Sequence, residues 1–280
     1  MLPGFYCPNG TRSATDYPCA AGTYNNITTL TSQSECFDCI AGHYCPGGAV
    51  IEPYLLCSAG FYCRSGAETS TPMEDADAYE CPRGYYCVEG TAEPIHCPVG
   101  TFSNSTRLRN ETDCTSCTPG HYCDSLHQTE TTGLCDPGYF CVEGSIAATS
   151  DACPMGFYCP LGTHIPFRCP NSTWSNDTHL TSAVECTECP AGWYCQSSGL
   201  TAPEGLCQQG YYCPAGSNVP NPVVCPIGLH CPEGADEPEA CMSGYYTNRT
   251  GACFSNPKFH VMVTVDFLLL LFVHSFSSSV

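Results

Sequence analysis

The stretch CPMGFYC, residues 153–159, carries the pattern from which the fold of this chain is predicted. It has the form Cys-x-x-Gly-aromatic-aromatic-Cys; we number its positions 1 to 7 and call it the turn motif. Proline sets φ at about −65° and the glycine two residues later takes a positive φ at no steric cost, so positions 1 to 4 predict a tight turn. The two aromatic residues favour a short β-strand.

The turn motif recurs inside a longer repeat of eight cysteines, with copies such as CPRGYYC at 81–87 and CPAGWYC at 189–195. The numbers of residues between successive cysteines are 2, 5, 11, 5, 17, 5, 9, 16 from Cys36, then 2, 5, 11, 5, 11, 5, 9, 16 from Cys114 and 2, 5, 11, 5, 11, 5, 9, 11 from Cys186. The period is therefore 72 residues, or 78 where an acidic insert within Glu68 to Glu80 predicts a surface loop.

These intervals predict five segments. They are a partial repeat at 1–35, three repeats at 36–113, 114–185 and 186–253, and an apolar tail at 254–280. Residues 2–7 already form part of a turn motif and no signal peptide precedes them, so we expect the chain to be a fragment of a longer protein.

The composition indicates a fold held by disulfides. The chain has 27 cysteines among 280 residues, whereas Leu, Ile, Val and Phe together account for only 35 of residues 1–257. Each disulfide contributes about 2–4 kcal/mol and persists only in an oxidising compartment. We therefore expect an extracellular protein of small disulfide-rich repeats, made of short β-hairpins and loops with little or no helix and stacked into an elongated rod.

The charge excludes one class of partner. Acidic residues number 27 against 8 basic ones, and the formal net charge is −19. A nucleic-acid surface needs clustered Lys and Arg, so we expect no nucleic-acid partner. The acidity favours solubility, and no D-x-D-x-D-G loop for calcium is present.

Sequons for N-glycosylation are the informative motif. Asn-x-Ser/Thr occurs at Asn9, Asn26, Asn104, Asn110, Asn171, Asn176 and Asn248. All except Asn9 lie in the one long loop of each repeat, which indicates a solvent-facing edge that carries glycans and a protein of the secretory pathway. The alternative is that these segments are only turns rich in Asn and Thr.

The cysteines and aromatic residues each allow a structural and a functional interpretation. The C-x-x-C pairs Cys36/Cys39, Cys114/Cys117 and Cys186/Cys189 suit zinc or redox chemistry, but the surrounding array favours structural disulfides. Paired aromatic residues suit a ligand platform, yet in a chain with so few aliphatic residues they are expected to fill the core. No catalytic constellation stands out, so we expect no enzyme, no cofactor and no resident metal.

The pattern C-P-x-G-T-Y, a long loop, then C-x-x-C-x-x-G-x-Y-C resembles the ephrin-receptor-like cysteine-rich repeat over residues 1–253. The spacing from Cys97 to Cys141 is also similar to that of a growth-factor-receptor-like module of the tumour-necrosis-factor-receptor type. That resemblance implies the crossed bonds Cys117–Cys135 and Cys123–Cys141, together with Cys97–Cys114. The resemblance further implies binding to an extracellular protein or glycan ligand, without identifying it.

A second pairing is equally economical from the sequence. In this scheme the two cysteines of each turn motif bond to each other, and the two cysteines that flank each long loop bond to each other. Cys7 then has no partner. Both schemes include Cys97–Cys114 and Cys169–Cys186. The long-loop bonds are expected at Cys19, Cys36, Cys97, Cys114, Cys169, Cys186, Cys241 and Cys253.

The C-terminal tail allows three interpretations. Residues 261–276 are apolar but short for a spanning helix, and they contain Asp266 and His274. A membrane span, a lipid-anchor signal and a truncated or unrelated terminal segment therefore all stay open, and with them anchoring through the tail. The expected function is a spacer or an adhesion and recognition surface; the rivals are the ligand-binding part of a receptor ectodomain and a metal-binding protein.

Overall fold

The structure is a computed structural model that describes residues 2–73, 78–247 and 253–255. The described chain is a series of two-stranded β-sheets, each formed by strands that follow one another in sequence. The strands are β1 Thr23–Tyr24, β2 Phe37–Asp38, β3 Phe61–Cys63, β4 Ala78–Glu80, β5 Tyr85–Tyr86, β6 Ile95–His96, β7 Thr101–Phe102, β8 Thr115–Ser116, β9 His121–Tyr122, β10 Gly133–Leu134, β11 Tyr139–Phe140, β12 Asp151–Ala152, β13 Phe157–Tyr158, β14 Phe167–Arg168, β15 Thr173–Trp174, β16 Thr187–Glu188, β17 Trp193–Tyr194, β18 Gly205–Leu206, β19 Tyr211–Tyr212, β20 Val223–Val224, β21 Leu229–His230, β22 Glu239–Ala240, β23 Tyr245–Thr247 and β24 Cys253–Ser255.

Each hairpin begins at a turn motif. In β13 and β14, Phe157 lies opposite Arg168 and Tyr158 opposite Phe167 in an antiparallel pair. Motif positions 5 and 6 thus form the first strand, and the two residues before the next motif form the second. Helical structure in the described residues consists of single 3-10 turns at Gln33–Glu35, Glu111–Asp113 and Ala183–Glu185. The expected class, a small disulfide-rich repeat fold of short hairpins, is confirmed.

Disulfides close both the turn motifs and the long segments between them. Nine join positions 1 and 7 of a turn motif: Cys39–Cys45, Cys57–Cys63, Cys81–Cys87, Cys117–Cys123, Cys135–Cys141, Cys153–Cys159, Cys189–Cys195, Cys207–Cys213 and Cys225–Cys231. Four close the long segments: Cys19–Cys36, Cys97–Cys114, Cys169–Cys186 and Cys241–Cys253. Cys7 is a free cysteine.

The crossed pairing implied by the tumour-necrosis-factor-receptor resemblance is wrong. Cys117 pairs with Cys123, and Cys135 pairs with Cys141. The turn reverses the chain so tightly that Cα atoms six residues apart lie 5.9 Å and 5.8 Å from each other, within the usual span of a disulfide. The local scheme, which leaves Cys7 over, is the one that the structure contains.

Backbone hydrogen bonds link each turn motif to the next. The Gly120 N–H donates to the Cys141 carbonyl and the Cys135 N–H donates to the Gly120 carbonyl, both at 2.9 Å. The Cys123 N–H, at motif position 7, donates further along to the Ser145 carbonyl at 2.9 Å. The first two bonds recur with position 4 occupied by Gly4, Gly22, Gly42, Gly60, Gly84, Gly100, Gly138, Gly156, Ser172, Gly192 and Gly210.

The core consists mainly of sulfur. Almost every bonded cysteine is buried, and the aromatic residues at motif positions 5 and 6 are mostly half-buried beside the disulfides. Tyr86, for example, packs against Cys97, Leu108 and Cys114. The aromatic residues therefore contribute packing, as expected for a chain with few aliphatic residues.

The chain forms two units. The first comprises Met1–Asp136, Phe140–Asp151 and Gly162–Ile165. The second comprises Pro137–Tyr139, Ala152–Leu161 and Pro166–Val280. Both are built from the same turn motif, and both contain long loops closed by disulfides.

Candidate functional site: the three long loops

Three long loops share one internal structure and carry most of the sequons. They run from Cys19 to Cys36, from Cys97 to Cys114 and from Cys169 to Cys186, and each disulfide joins residues 17 positions apart. Two of these loops belong to the first unit and one to the second. Their common features define a surface element that the chain builds three times.

Each loop begins with a turn motif that lacks the cysteine at position 7. Asn25, Ser103 and Ser175 occupy this position, and their exposed fractions are 0%, 3% and 1%. The side-chain oxygens accept a hydrogen bond from the backbone N–H two residues later: Ile27 to Asn25 Oδ1 at 2.8 Å, Ser105 to Ser103 Oγ at 3.2 Å and Asp177 to Ser175 Oγ at 3.1 Å. A buried polar side chain thus replaces the disulfide sulfur and makes a local turn.

The residue at the corner of this turn is a sequon asparagine in every loop. Asn26, Asn104 and Asn176 directly follow the buried residue, and all three are exposed. We call these residues the corner asparagines. The residues on either side make the hydrogen bond of the turn, and the asparagine between them stays exposed to solvent.

The other described sequons lie in different local structures. Asn9, Asn110 and Asn171 are also exposed. Asn110 caps the second 3-10 turn, and its Oδ1 accepts from the Thr112 hydroxyl at 2.5 Å. Asn248, the seventh sequon asparagine, lies outside the described residues.

Asn9 and Asn171 lie in turns that hold the hydroxyl residue of their own sequon. The Thr11 hydroxyl donates to the Pro8 carbonyl and the Thr173 hydroxyl donates to the Pro170 carbonyl, each at 2.6 Å. The two kinds of sequon therefore differ in whether a local turn involves their threonine.

A buried leucine attaches each long loop to the preceding motif. Leu30, Leu108 and Leu180 are buried. Their carbonyls accept hydrogen bonds from the N–H groups at position 7 of that motif, such as Cys87 N–H to Leu108 at 3.0 Å and Cys159 N–H to Leu180 at 2.8 Å. These leucines supply aliphatic burial where the fold otherwise relies on cysteine.

Near the end of each loop, a carboxylate accepts hydrogen bonds from backbone N–H groups just before the 3-10 turn. Glu185 accepts from the Thr181 hydroxyl and the Thr181 N–H, which hold the pKa of Glu185 below its ordinary value of 4.5. Hydrogen bonds from the Thr31 N–H and hydroxyl lower the pKa of Glu35 in the same way. Asp113 accepts from the Arg109 and Asn110 N–H groups.

The C-x-x-C cysteines are bonded to partners outside their own pair. Cys36 bonds to Cys19, whereas Cys39 bonds to Cys45. The same division holds for Cys114 with Cys117 and for Cys186 with Cys189. Within residues 2–73, 78–247 and 253–255, no group of three or more His, Cys, Asp or Glu is placed to hold a metal ion.

The sequence analysis missed the non-glycine residues that have positive φ, three of which contact aromatic rings. The φ values of Arg107, His127 and His179 are 65°, 54° and 65°. Elsewhere in the described chain, positive φ values belong mainly to glycines. Their side chains contact the aromatic residue at position 5 of an earlier motif: Arg107 lies 5.4 Å from the Phe61 ring, and His179 lies 4.9 Å from that of Tyr139. Counting positions from the preceding motif is the sequence signal that could have identified them.

Asn25, Ser103 and Ser175 were also missed. The signal was present, because each occupies the position that holds cysteine in most other turn motifs. A small polar residue at a position that is otherwise cysteine indicates burial.

Comparison with known proteins gives one partial similarity. No family model matches the chain. The chain is 32% identical over 96 residues to the ABC-type transporter claG of Penicillium crustosum. This similarity covers 34% of the present chain and 11% of the transporter. In the part of the chain that the structure describes, no helix has the length and apolar character needed to cross a membrane.

Proposed function

We propose that the chain is an extracellular N-glycosylated module that acts as a spacer or as an adhesion and recognition surface, without catalysis. The observation that carries this proposal is the sulfur core. Since bonded cysteines make up most of the buried apolar residues, the hairpins depend on oxidation for their stability. Such a fold suits an oxidising compartment.

The exposed sequons support the same compartment. The corner asparagines occur at equivalent, solvent-accessible positions of a repeated loop. N-glycosylation takes place on proteins that enter the secretory pathway. The disulfides and the exposed sequons thus favour one location for independent reasons.

The ligand-binding part of a larger cell-surface protein is the second candidate. The similarity to an ABC-type transporter over 96 residues favours it, because that relative is a much longer protein. In this version the repeats would belong to the extracellular part of a membrane protein and bind a protein or glycan ligand. The fold of the described residues suits either version.

Secretion and thiol counting test the proposed compartment. The 280-residue chain is fused to a secretion signal, expressed in eukaryotic cells and titrated for free thiols after denaturation without reductant. We expect one to three free thiols among the 27 cysteines, with Cys7 among them. Cytosolic expression of the same chain is the control. A secreted chain with ten or more free thiols, or with bound zinc, would contradict the proposal.

A deletion separates a spacer from a recognition surface. Removal of residues 114–185, one full period, joins equivalent positions of two repeats. Cell-surface proteins are crosslinked to the complete chain and to the deletion chain, and the captured partners are compared. A spacer is expected to keep its partners after deletion, whereas a partner lost only from the deletion chain assigns recognition to this repeat.

A further inference from the structure

The sequons that the structure describes differ in local geometry, and two of them form an internal matched pair. Residues 104–106 and residues 171–173 both read Asn-Ser-Thr. The first tripeptide contains a corner asparagine, and the second lies across positions 3 to 5 of a turn motif. Any difference in modification between them therefore comes from structure and not from the recognised tripeptide.

The turn around Asn171 is short in sequence. The Thr173 N–H and hydroxyl both bond to the Pro170 carbonyl, at 3.2 Å and 2.6 Å. Ser172 takes the glycine position with φ of 74°, and its carbonyl accepts from the Cys189 N–H at 2.8 Å. The contacts within 170–173 need no distant segment, so this turn forms early.

The corner at Asn104 is also closed locally, by the Ser105 N–H to Ser103 Oγ bond, but that turn does not hold the hydroxyl of its own sequon. The Thr106 hydroxyl bonds to Glu80, which lies before this loop and beyond the preceding motif. Because non-local contacts form after local ones, the Thr106 hydroxyl stays available to a modifying enzyme for longer than the Thr173 hydroxyl.

We infer that local folding controls glycan attachment in this chain, so that the corner asparagines are the principal modification sites and the asparagines in the proline turns, Asn9 and Asn171, are modified poorly. This inference rests on the proposed extracellular function. The co-substrate is a lipid-linked oligosaccharide diphosphate. The asparagine Nδ2 forms a bond to the sugar C1 and loses one proton, while the bond from C1 to the diphosphate oxygen breaks and the lipid diphosphate leaves.

This choice of glycan sites protects the contacts that hold the fold together. A glycan on a corner asparagine projects from a turn whose neighbouring residue is buried, so it leaves the disulfide core undisturbed. A glycan on Asn171 would project beside the hydrogen bonds that join Ser172 to Cys189 and Cys195. Early closure of the proline turn keeps sugar away from these links between successive motifs.

Site occupancy on the secreted full chain tests the inference. Each asparagine is scored by peptide mass spectrometry after enzymatic deglycosylation in heavy-oxygen water. We expect Asn104 to be occupied at least about threefold more often than Asn171. Ser172→Gly favours the turn because glycine accepts positive φ. Ser172→Gly is expected to lower Asn171 occupancy further, whereas the matched Ser105→Gly leaves Asn104 unchanged.

The outcomes are distinct. Equal occupancy of Asn104 and Asn171, or equal effects of the two serine substitutions, overturns the inference and leaves the extracellular function intact. A secreted chain with no glycan at any sequon contradicts the inference and the N-glycosylated part of the proposed function together. Low occupancy at Asn171 combined with high occupancy at all three corner asparagines supports both.

Discussion

At the scale of single residues, motif position 4 lies against backbone that follows the second motif along the chain. Gly120 has a φ of +84°, and a Cβ built there would lie 2.5 Å from the Gly162 carbonyl oxygen. The same glycine is joined to the next motif by two backbone hydrogen bonds, so it cannot move away without breaking them. Glycine is needed here for its backbone conformation and for this close approach.

We predict that Gly120→Ala lowers the free energy of unfolding by more than about 2 kcal/mol, because strain at positive φ adds to a clash with backbone. Gly66→Ala is the matched control: its φ is +85°, but nothing lies within 4 Å of the added Cβ. The control should lose about 1 kcal/mol. Denaturant unfolding with the disulfides intact measures the free energy of unfolding of both variants. Equal losses would show that the close approach does not affect stability.

At the scale of elements, each long loop ends in a 3-10 turn whose geometry depends on a carboxylate. Glu35 and Glu185 accept hydrogen bonds from both the backbone and the hydroxyl of a threonine four residues earlier. These bonds favour the ionised carboxylate, so the folded-state pKa of each lies below its ordinary value of 4.5. Their contribution to stability is therefore present above the unfolded-state pKa and is lost as the pH falls through the folded-state pKa.

The predicted consequence is an acid-sensitive loop. As the pH falls below about 4.5, the Tm of the wild-type chain should decrease, and the Tm of Glu185→Gln should decrease less steeply because one linked proton is removed. Thermal unfolding between neutral and acidic pH measures the difference. Glu237→Gln, which changes an exposed carboxylate outside the loops, is the control. Parallel curves for the wild type and Glu185→Gln would contradict the assigned role of this carboxylate.

At the scale of the whole molecule, the sequence predicts an extended chain. Leu, Ile, Val and Phe are too few for distant repeats to fold back and bury much surface against each other, and the net charge of −19 opposes lateral association. A compact domain of this length would have a radius of gyration of about 19 Å. Small-angle scattering of the deglycosylated chain should give a clearly larger value. A value near that of a compact domain would remove the physical basis of the spacer function.

The sequence by itself determined the hairpins and their repetition. Turn chemistry acts within seven residues, so the Cys-Pro-x-Gly pattern of Cys153 to Gly156 was sufficient to predict the turn and the strand that follows. The cysteine intervals showed the period, and the sequon positions showed which loop faces solvent. These features depend on local contacts or on counting, which is why one sequence was sufficient.

Only the tertiary structure decided the features that depend on distance in space. The spacing of Cys117, Cys123, Cys135 and Cys141 allowed local and crossed bonds alike, and the close approach of Cα atoms within each turn selected the local ones. The sequence also treated the Asn-Ser-Thr tripeptides at 104–106 and 171–173 as equivalent. The structure separates them: the first follows Ser103, which is buried where it bonds to Gly84 and Gln128 far away in sequence, whereas the second lies inside a local proline turn.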